Sequence, residues 1–547
     1  MKKITIISVL LSLNIIVLQS CTKQIDDAYI NPNAAVRQPV EVLLPNIVAA
    51  MCINNTASGT NFGTQLDGQY VGRYVQFWAT NTPANQYDQM GMTTTNSTAA
   101  AADIGGSQWG MHYYAMGQNI NRVIEWGTEE KKWDYVGAAY AMRAFGWLAV
   151  TDMHGEVVLK DAFNTTLLTF RYDSQEEVYE EVKRNCRHAI ENLSRTGDGI
   201  SATNLALGAN YCSMKGDVEK WKKFAYAIMA RVFHRTTNKS SYQPDSVIYY
   251  ANLAMNDNAD NSYILFENVS SPTRSFYGAS RGNIGVLRQT KFAADLLSGV
   301  NTAFPGVTDP RAWYILRENV NLTFKGIRPS KGSPDGLGPN DAPFNYWGGA
   351  ATSTGGSDAN ARYIYKDGMP WPLATAAEME FLKAEAYYRK GNKPSALTAY
   401  TNGISKNIDM LTTVYTNAIP TANVITPAAK AVFLANPVIV PSTANLNLSH
   451  IMLQKFIALY GFGFMEVWAD MRRFHYNLDI DPATGLVVYR DFSPPFDLDL
   501  FINNNKKLIY RVRPRYNSEY RWNTAALIPL GGLALDYHTK EQWFSQP

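Results

Sequence analysis

The chain has 547 residues, 46% of them hydrophobic and 12% aromatic but only 18% charged, which excludes a disordered polyelectrolyte. Its 50 Lys and Arg against 47 Asp and Glu leave +3, without the basic excess that a nucleic-acid surface needs. Four cysteines in this length make no disulfide framework, and the length allows about three or four domain-sized units or one large merged one.

The N-terminus carries the first signal. Lys2 and Lys3 precede an apolar stretch, Ile4 to Leu18, of signal-peptide rather than membrane-spanning length. It ends in Leu18-Gln19-Ser20-Cys21, which resembles the bacterial lipobox. There, cleavage makes the cysteine residue one and its thiol carries a diacylglyceryl group. Residues 1–20 are therefore expected to be a lipoprotein signal peptide and Cys21 the lipidation site. Loss of Lys2 and Lys3 would lower the formal balance from +3 to +1. Thr22 is not the Asp associated with inner-membrane retention, so the outer membrane is expected. Lys23 and Asp26-Asp27 resemble the charged tether of surface-exported lipoproteins. No later stretch reaches the ~18 unbroken apolar residues of a spanning helix, so acyl chains would anchor an otherwise soluble chain. Among Cys52, Cys186 and Cys212, buried free thiols are expected; a disulfide, if one formed, would join Cys186 to Cys212.

Helices follow in the first half. Residues 134–150 are rich in small residues (Ala138, Ala139, Ala141, Ala144, Gly146), suited to tight helix packing. Ser174 and Glu177 form a capping box, after which Val178, Val182, Cys186, Ala189 and Leu193 keep one apolar face. Asp217 can cap a helix in which Trp221, Phe224, Ile228 and Val232 recur. Thr375 and Glu378 read as another capping box, opening two helices that meet at Lys390-Gly391-Asn392. Ala384, Tyr387, Gly391, Ala396, Tyr400 and Gly403 take the small and large positions of a tetratricopeptide repeat. The stretches 134–151/174–195, 216–235/244–256 and 447–473 could supply the further pairs that stacking needs.

Between these blocks, 57–110, 268–372, 412–446 and 476–547 show no helical period. Loops this long in a compact protein are usually functional. They hold many rings, among them Tyr70, Tyr74, Trp313 and Trp371.

Catalytic signals are thin. The histidines show no metal-ligand spacing. Gly278 to Gly282 matches G-x-S-x-G, but it lies in loop sequence rather than between a strand and a helix. Asp497 with Asp499, or Glu378 with Glu380, are glycosidase-type carboxylates by residue type only. Asn256, Asn258, Asp260, Ser262 and Glu267 fall at calcium-loop positions. Asn256 replaces the usual first Asp and Asn261 the usual Gly, so a capped turn is favoured over a weak calcium site. No other cofactor is indicated.

In order along the chain, several segments together resemble one family. They are Asn31-Pro32-Asn33, Glu41 to Pro45, Thr151-Asp152-Met153-His154-Gly155-Glu156-Val157-Val158, Tyr172 to Tyr179, Gly216 to Phe224, Glu380 to Ala386, Gln454 to Leu459, and Glu466-Val467-Trp468-Ala469-Asp470-Met471-Arg472-Arg473. With the lipobox they resemble the SusD/RagB-type nutrient-binding outer-membrane lipoproteins, specifically the SusD-like branch. Glu156 and Val158 depart from the family's usual Asp and Pro. The resemblance implies a mostly α fold: tetratricopeptide-type helix pairs forming a right-handed superhelical scaffold with a large, loop-rich, irregular subdomain. One SusD-like domain would span 21–547. Its scaffold would lie mainly in 34–56, 111–260, 375–411 and 447–475, and its ligand-binding half mainly in 57–110, 261–374, 412–446 and 476–547.

The resemblance also implies a partner, a SusC-like TonB-dependent transporter, to which captured oligosaccharide is delivered without chemistry on it. Peptide as the ligand is the alternative, and a surface glycoside hydrolase a second one. Trp221, Trp468, Arg472 and Arg473 are then scaffold residues. The family's ligand loops point to 70–110 and 273–347 here. Sugars stack their C–H faces on rings beside polar side chains. That selects Trp78, Tyr87 and Trp109 with Asn81, Asn85 and Gln86, and Tyr277, Arg281, Tyr346 and Trp347 with Asn345.

Overall fold

A computed structural model describes residues 37–51, 64–83, 88, 90, 106–197, 212–267, 275–278 and 285–547. The signal peptide, Cys21, Cys52, Asn85, Gln86, Tyr87 and Arg281 lie outside them. The labelled helices are α1 (Val40–Ala50), α2 (Thr64–Tyr74), α3 (Gly117–Glu129), α4 (Trp133–His154), α5 (Gln175–Leu193), α6 (Val218–Arg235), α7 (Pro244–Leu253), α8 (Lys291–Ser298), α9 (Ala376–Arg389), α10 (Lys393–Val414), α11 (Leu448–Ala458) and α12 (Phe464–Arg473). The short strands β1 (Trp78–Thr80), β2 (Ser262–Ile264), β3 (Leu287–Gln289) and β4 (Trp371–Ala374) pair antiparallel, β1 with β3 and β2 with β4. No described helix is long and apolar enough to cross a membrane.

The scaffold is a run of antiparallel helix pairs. Helix α4 packs on α5, α5 on α6, α6 on α7, α7 on α9, and α9 on both α10 and α11. The pairs α4/α5, α6/α7 and α9/α10 are those that the sequence spacing predicts; α11 and α12, expected as a further pair, instead pack on α9 and α2 respectively. Ser174 and Glu177 cap α5 reciprocally, and Asp217 accepts from Glu219 N and Lys220 N at the start of α6. The box at Thr375 is only half made. Thr375 Oγ1 accepts from Glu378 N at 3.2 Å, but the Glu378 carboxylate turns away to Arg231. Between α9 and α10, Gly391 adopts φ +77°, and Gly403 sets its backbone against Phe381, where a Cβ would lie 2.8 Å from the ring. Cys186 and Cys212 are buried free thiols.

A buried lattice of charge ties these pairs together. Arg231 forks onto Glu378 at 2.7 Å and reaches Glu466 at 3.4 Å. Arg235 joins Asp152 at 2.9 Å and also bonds Glu466. Arg473 bridges Glu385 at 2.9 Å and Asp470 at 2.7 Å, and Lys455 meets Asp470 at 2.7 Å. Arg472 lies 3.8 Å over the Trp468 ring and donates to the Asp152 carbonyl. Arg231, Arg235, Lys455, Arg473 and, from the rim, Arg389 pair with Asp152, Glu378, Glu385, Glu466 and Asp470, while Arg472 is held by carbonyls and rings. Burial alone would raise the Glu385 carboxyl pKa; Arg473, His234 and Arg389 hold it well below its ordinary range. Burial, with Arg473 and Lys455 beside it, pushes His234 down to about 3, so its ring is neutral. The acidic and basic residues of the Thr151–Val158 and Glu466–Arg473 segments are therefore structural.

Helix α2 lies in a stretch that shows no helical period. Gln65, Asp67 and Gln69 face inward, where two of them find backbone partners. Asp67 accepts from the N–H groups of Gly106, Ser107 and Gln108 at 2.6–2.9 Å, capping the next helical stretch. Gln65 accepts from Phe276 N at 2.7 Å. A buried face made of Gln and Asp does not register as an apolar stripe.

Candidate functional site

The rings expected to form an open stacking surface are instead the core of the loop-rich half. Trp78 is wholly buried, with its ring in the notch at Gly72, where a Cβ would meet it at 2.5 Å. Tyr277 fills the neighbouring notch at Gly68, stacks on Trp371 at 5.2 Å between ring centres, and donates to the Gln65 carbonyl. Tyr346 stacks on Tyr365 at 4.0 Å and shares a 2.6 Å hydrogen bond with Tyr460. Trp347 Nε1 donates to the Tyr365 carbonyl at 2.7 Å. Asn345 is spent on its own turn, accepting from Trp347 N and Gly349 N. Trp109 is buried under Tyr113 and His154. These placements correct the assignment of Trp78, Trp109, Tyr277, Asn345, Tyr346 and Trp347 to an open ligand surface. Loop sequence suggests exposure, but loops this long need a core of their own, and the rings supply it.

The residues at the calcium-loop positions include a capped turn, Asp257 and Asp260 capping it reciprocally. Asp260 accepts from Asn256 N and Asp257 N and pairs with Lys223 at 2.5 Å. Asn258 donates to the Lys406 carbonyl, and Ser262 opens β2. The oxygens are engaged separately in a capped turn. The buried trio His234, Glu385 and Asp470 lies close enough together for a cation, but Arg473 and Lys455 already hold that place. The paired acids are ion-paired too. Asp499 meets Lys331 at 2.6 Å, Asp497 meets Lys506 at 2.9 Å, and Glu380 meets Lys406 at 2.5 Å.

Asn81 marks where the two expected ligand regions converge. Its N–H donates to Val286 O and its carbonyl accepts from Ser333 N, both at 2.8 Å. Beside this junction lies a cleft of about 610 Å³, within the usual range of ligand sites. Five segments wall it: Gln76 after α2, the first half of α8, Val300 and Thr302 just beyond α8, residues 328–331, and residues 491–499. Thr290 caps α8 and so fixes Lys291 and Asp295 at the cleft. Gln76 Nε2 donates to the Ser493 carbonyl at 2.6 Å, and Asp491 accepts from Thr302 N at 2.6 Å. Lys331 and Asp499 join opposite walls, Lys291 pairs with Asp295, and Arg328 pairs with Asp335. Three cations (Lys291, Arg328, Lys331) and three carboxylates (Asp295, Asp491, Asp499) line the cleft among carbon surface, so it carries no net charge. One ring, Phe496, stands 71% exposed at its mouth. Fixed donors and acceptors beside an open ring face suit a polyhydroxylated, uncharged ligand.

Phe496, Arg328 and Lys331 escape the sequence reading. The available signal is Ser493-Pro494-Pro495-Phe496-Asp497. Two prolines stiffen the segment and cannot donate hydrogen bonds, so the following ring is held out in a fixed turn.

A scaffold of repeat-type helix pairs thus carries a loop-walled, charge-balanced cleft. The SusD-like family model, described as starch-binding and associating with the outer membrane, matches residues 32–485, and the chain belongs to that family. Solved structures share the fold. A SusD/RagB family protein from Bacteroides thetaiotaomicron has a TM-score of 0.62 at 19% identity, over 93% of this chain and 99% of the other. A Bacteroidetes SusD-like protein gives 0.66 at 16%, over 93% and 100%. A chitin-binding SusD homologue from Flavobacterium johnsoniae gives 0.59 at 16%, over 92% and 98%. No curated protein matches this chain.

Proposed function

We propose that this chain is a cell-surface lipoprotein, anchored to the outer membrane through Cys21, that captures oligosaccharide and passes it to a SusC-like TonB-dependent transporter without altering it. Family membership and the chitin-binding relative support glycan as the ligand class. The observation that carries the site is the charge-balanced cleft with Phe496 at its mouth. Its carboxylates are engaged in ion pairs or backbone hydrogen bonds, which supports binding rather than hydrolysis.

Titration of the mature chain with neutral oligosaccharides, chito- and malto-series among them, tests this reading. Saturable binding of one series is expected, weakened about tenfold by Phe496→Ala through loss of ring stacking. The ligand should be recovered intact after long incubation. Shortened products would replace the reading with a hydrolase. Binding that ignores Phe496→Ala would move the site elsewhere.

A further inference from the structure

A second concavity, of about 340 Å³, is walled by the helical stretch from Ser107 to Met116, the connection between α4 and α5, and a C-terminal segment around residues 518–523. Its floor is Trp109 and Tyr113. Its lip carries apolar side chains that water would otherwise disfavour: Leu168 is 90% exposed, Trp522 78% and Tyr114 51%. None of them lines the cleft at Phe496.

The polar groups of this groove are almost all spent internally. Tyr113 Oη donates to the Val158 carbonyl at 2.5 Å. Glu519 accepts from Tyr172 Oη and Asn523 Nδ2, both at 2.8 Å. Asn523 exchanges hydrogen bonds with the Phe170 backbone in both directions at 2.9 Å. One buried polar atom is left over, Ser518 Oγ, which has no partner. Beside the lip, the exposed Arg521 guanidinium sits 5.2 Å over the Tyr516 ring.

This chemistry selects among occupants. A sugar would set most of its hydroxyls against carbon walls with few polar groups to meet them, a desolvation that is largely uncompensated. A lipid surface is met by a continuous apolar face, whereas these lip side chains surround a hollow. A protein segment fits. A large apolar side chain fills the hollow, a main-chain carbonyl accepts from Ser518 Oγ, and an adjacent carboxylate meets Arg521.

We propose that the Trp109–Trp522 groove docks a peptide segment of a partner protein that presents a large apolar side chain next to an acidic residue. The assignment is independent of the glycan cleft.

Three labelled peptides test it by fluorescence anisotropy on the mature chain: an acidic peptide with a central Trp-Leu pair, the same peptide with a Ser-Ser centre, and the same peptide with lysines for its acids. Saturable binding is expected for the first. It should weaken at least tenfold with the Ser-Ser centre or with Leu168→Ser or Trp522→Ala, and several-fold with lysine flanks or Arg521→Glu. Oligosaccharide titration of these variants should be unchanged, and unaltered melting would show that they fold. Absence of binding, equal binding of the Ser-Ser peptide, or indifference to both lip variants overturns the proposal. So does Trp522-dependent binding of anionic vesicles or of oligosaccharide in place of peptide.

Discussion

Asp88 shows how far a single side chain can depart from its sequence setting. In an early, polar loop it reads as a solvated acid, yet it is buried and accepts from Phe501 N and Asn504 Nδ2, both at 2.8 Å. Burial pushes its pKa up to about 7, against those two donors. Between the ordinary carboxylate value and about 7, the folded state holds a proton that the unfolded state has released. Stability from this group therefore falls as pH rises through that window and levels off above it. Asp88→Asn keeps an acceptor and removes the titration. Its melting temperature should exceed the parent's by more at pH 8 than at pH 5; an equal gap at both would contradict the assignment. The rings teach the same lesson. Trp78 and Phe496 both lie in loop sequence, and nothing local to Trp78 announces that Gly72 will receive it. The Pro-Pro run before Phe496 does announce an exposed turn.

At the scale of elements, legibility follows chemistry. Helices whose buried face is apolar, such as α5 and α6, are plain from spacing and caps. Helix α2 is not, because its inward face is made of Gln and Asp that find partners only in the folded chain. Helix α4 is legible for another reason: its small residues predict close packing, and the structure shows what the gaps are for. At Gly146 a Cβ would strike the buried His112 ring, and at Gly137 it would lie 2.5 Å from Leu193 Cγ. Alanine favours an isolated helix over glycine by about 1 kcal/mol. Gly146→Ala should nevertheless destabilise the protein by roughly 1–3 kcal/mol, because the ring has nowhere to move. Denaturant midpoints decide; a rise would show that His112 yields.

Across the whole molecule, the family resemblance is readable because its motif residues build the charge lattice, and a lattice leaves charged residues in fixed order along the chain. The ligand cleft is not readable in that way. Its walls come from five segments, each unremarkable alone, and its charges cancel only in space. The lattice itself predicts a large, specific effect. Arg473→Met leaves Glu385 and Asp470 short of a cation and should cost about 3–5 kcal/mol. Lys160→Met, at an exposed pair with Glu177, should leave stability nearly unchanged. Similar losses for both in urea unfolding would mean the lattice is not the buried, dry network described above.

That lattice also sets an order in time. Arg235 finds Asp152 upstream, but Arg231 waits for Glu378, 147 residues later, and the Arg235–Glu466 bond spans 231 residues. Until α9 and α12 dock, Arg231 has no carboxylate and Arg235 only one of its two, so α4 to α7 by themselves would bury charge that is not yet compensated. The dry scaffold is therefore complete only when both ends of the chain are in place.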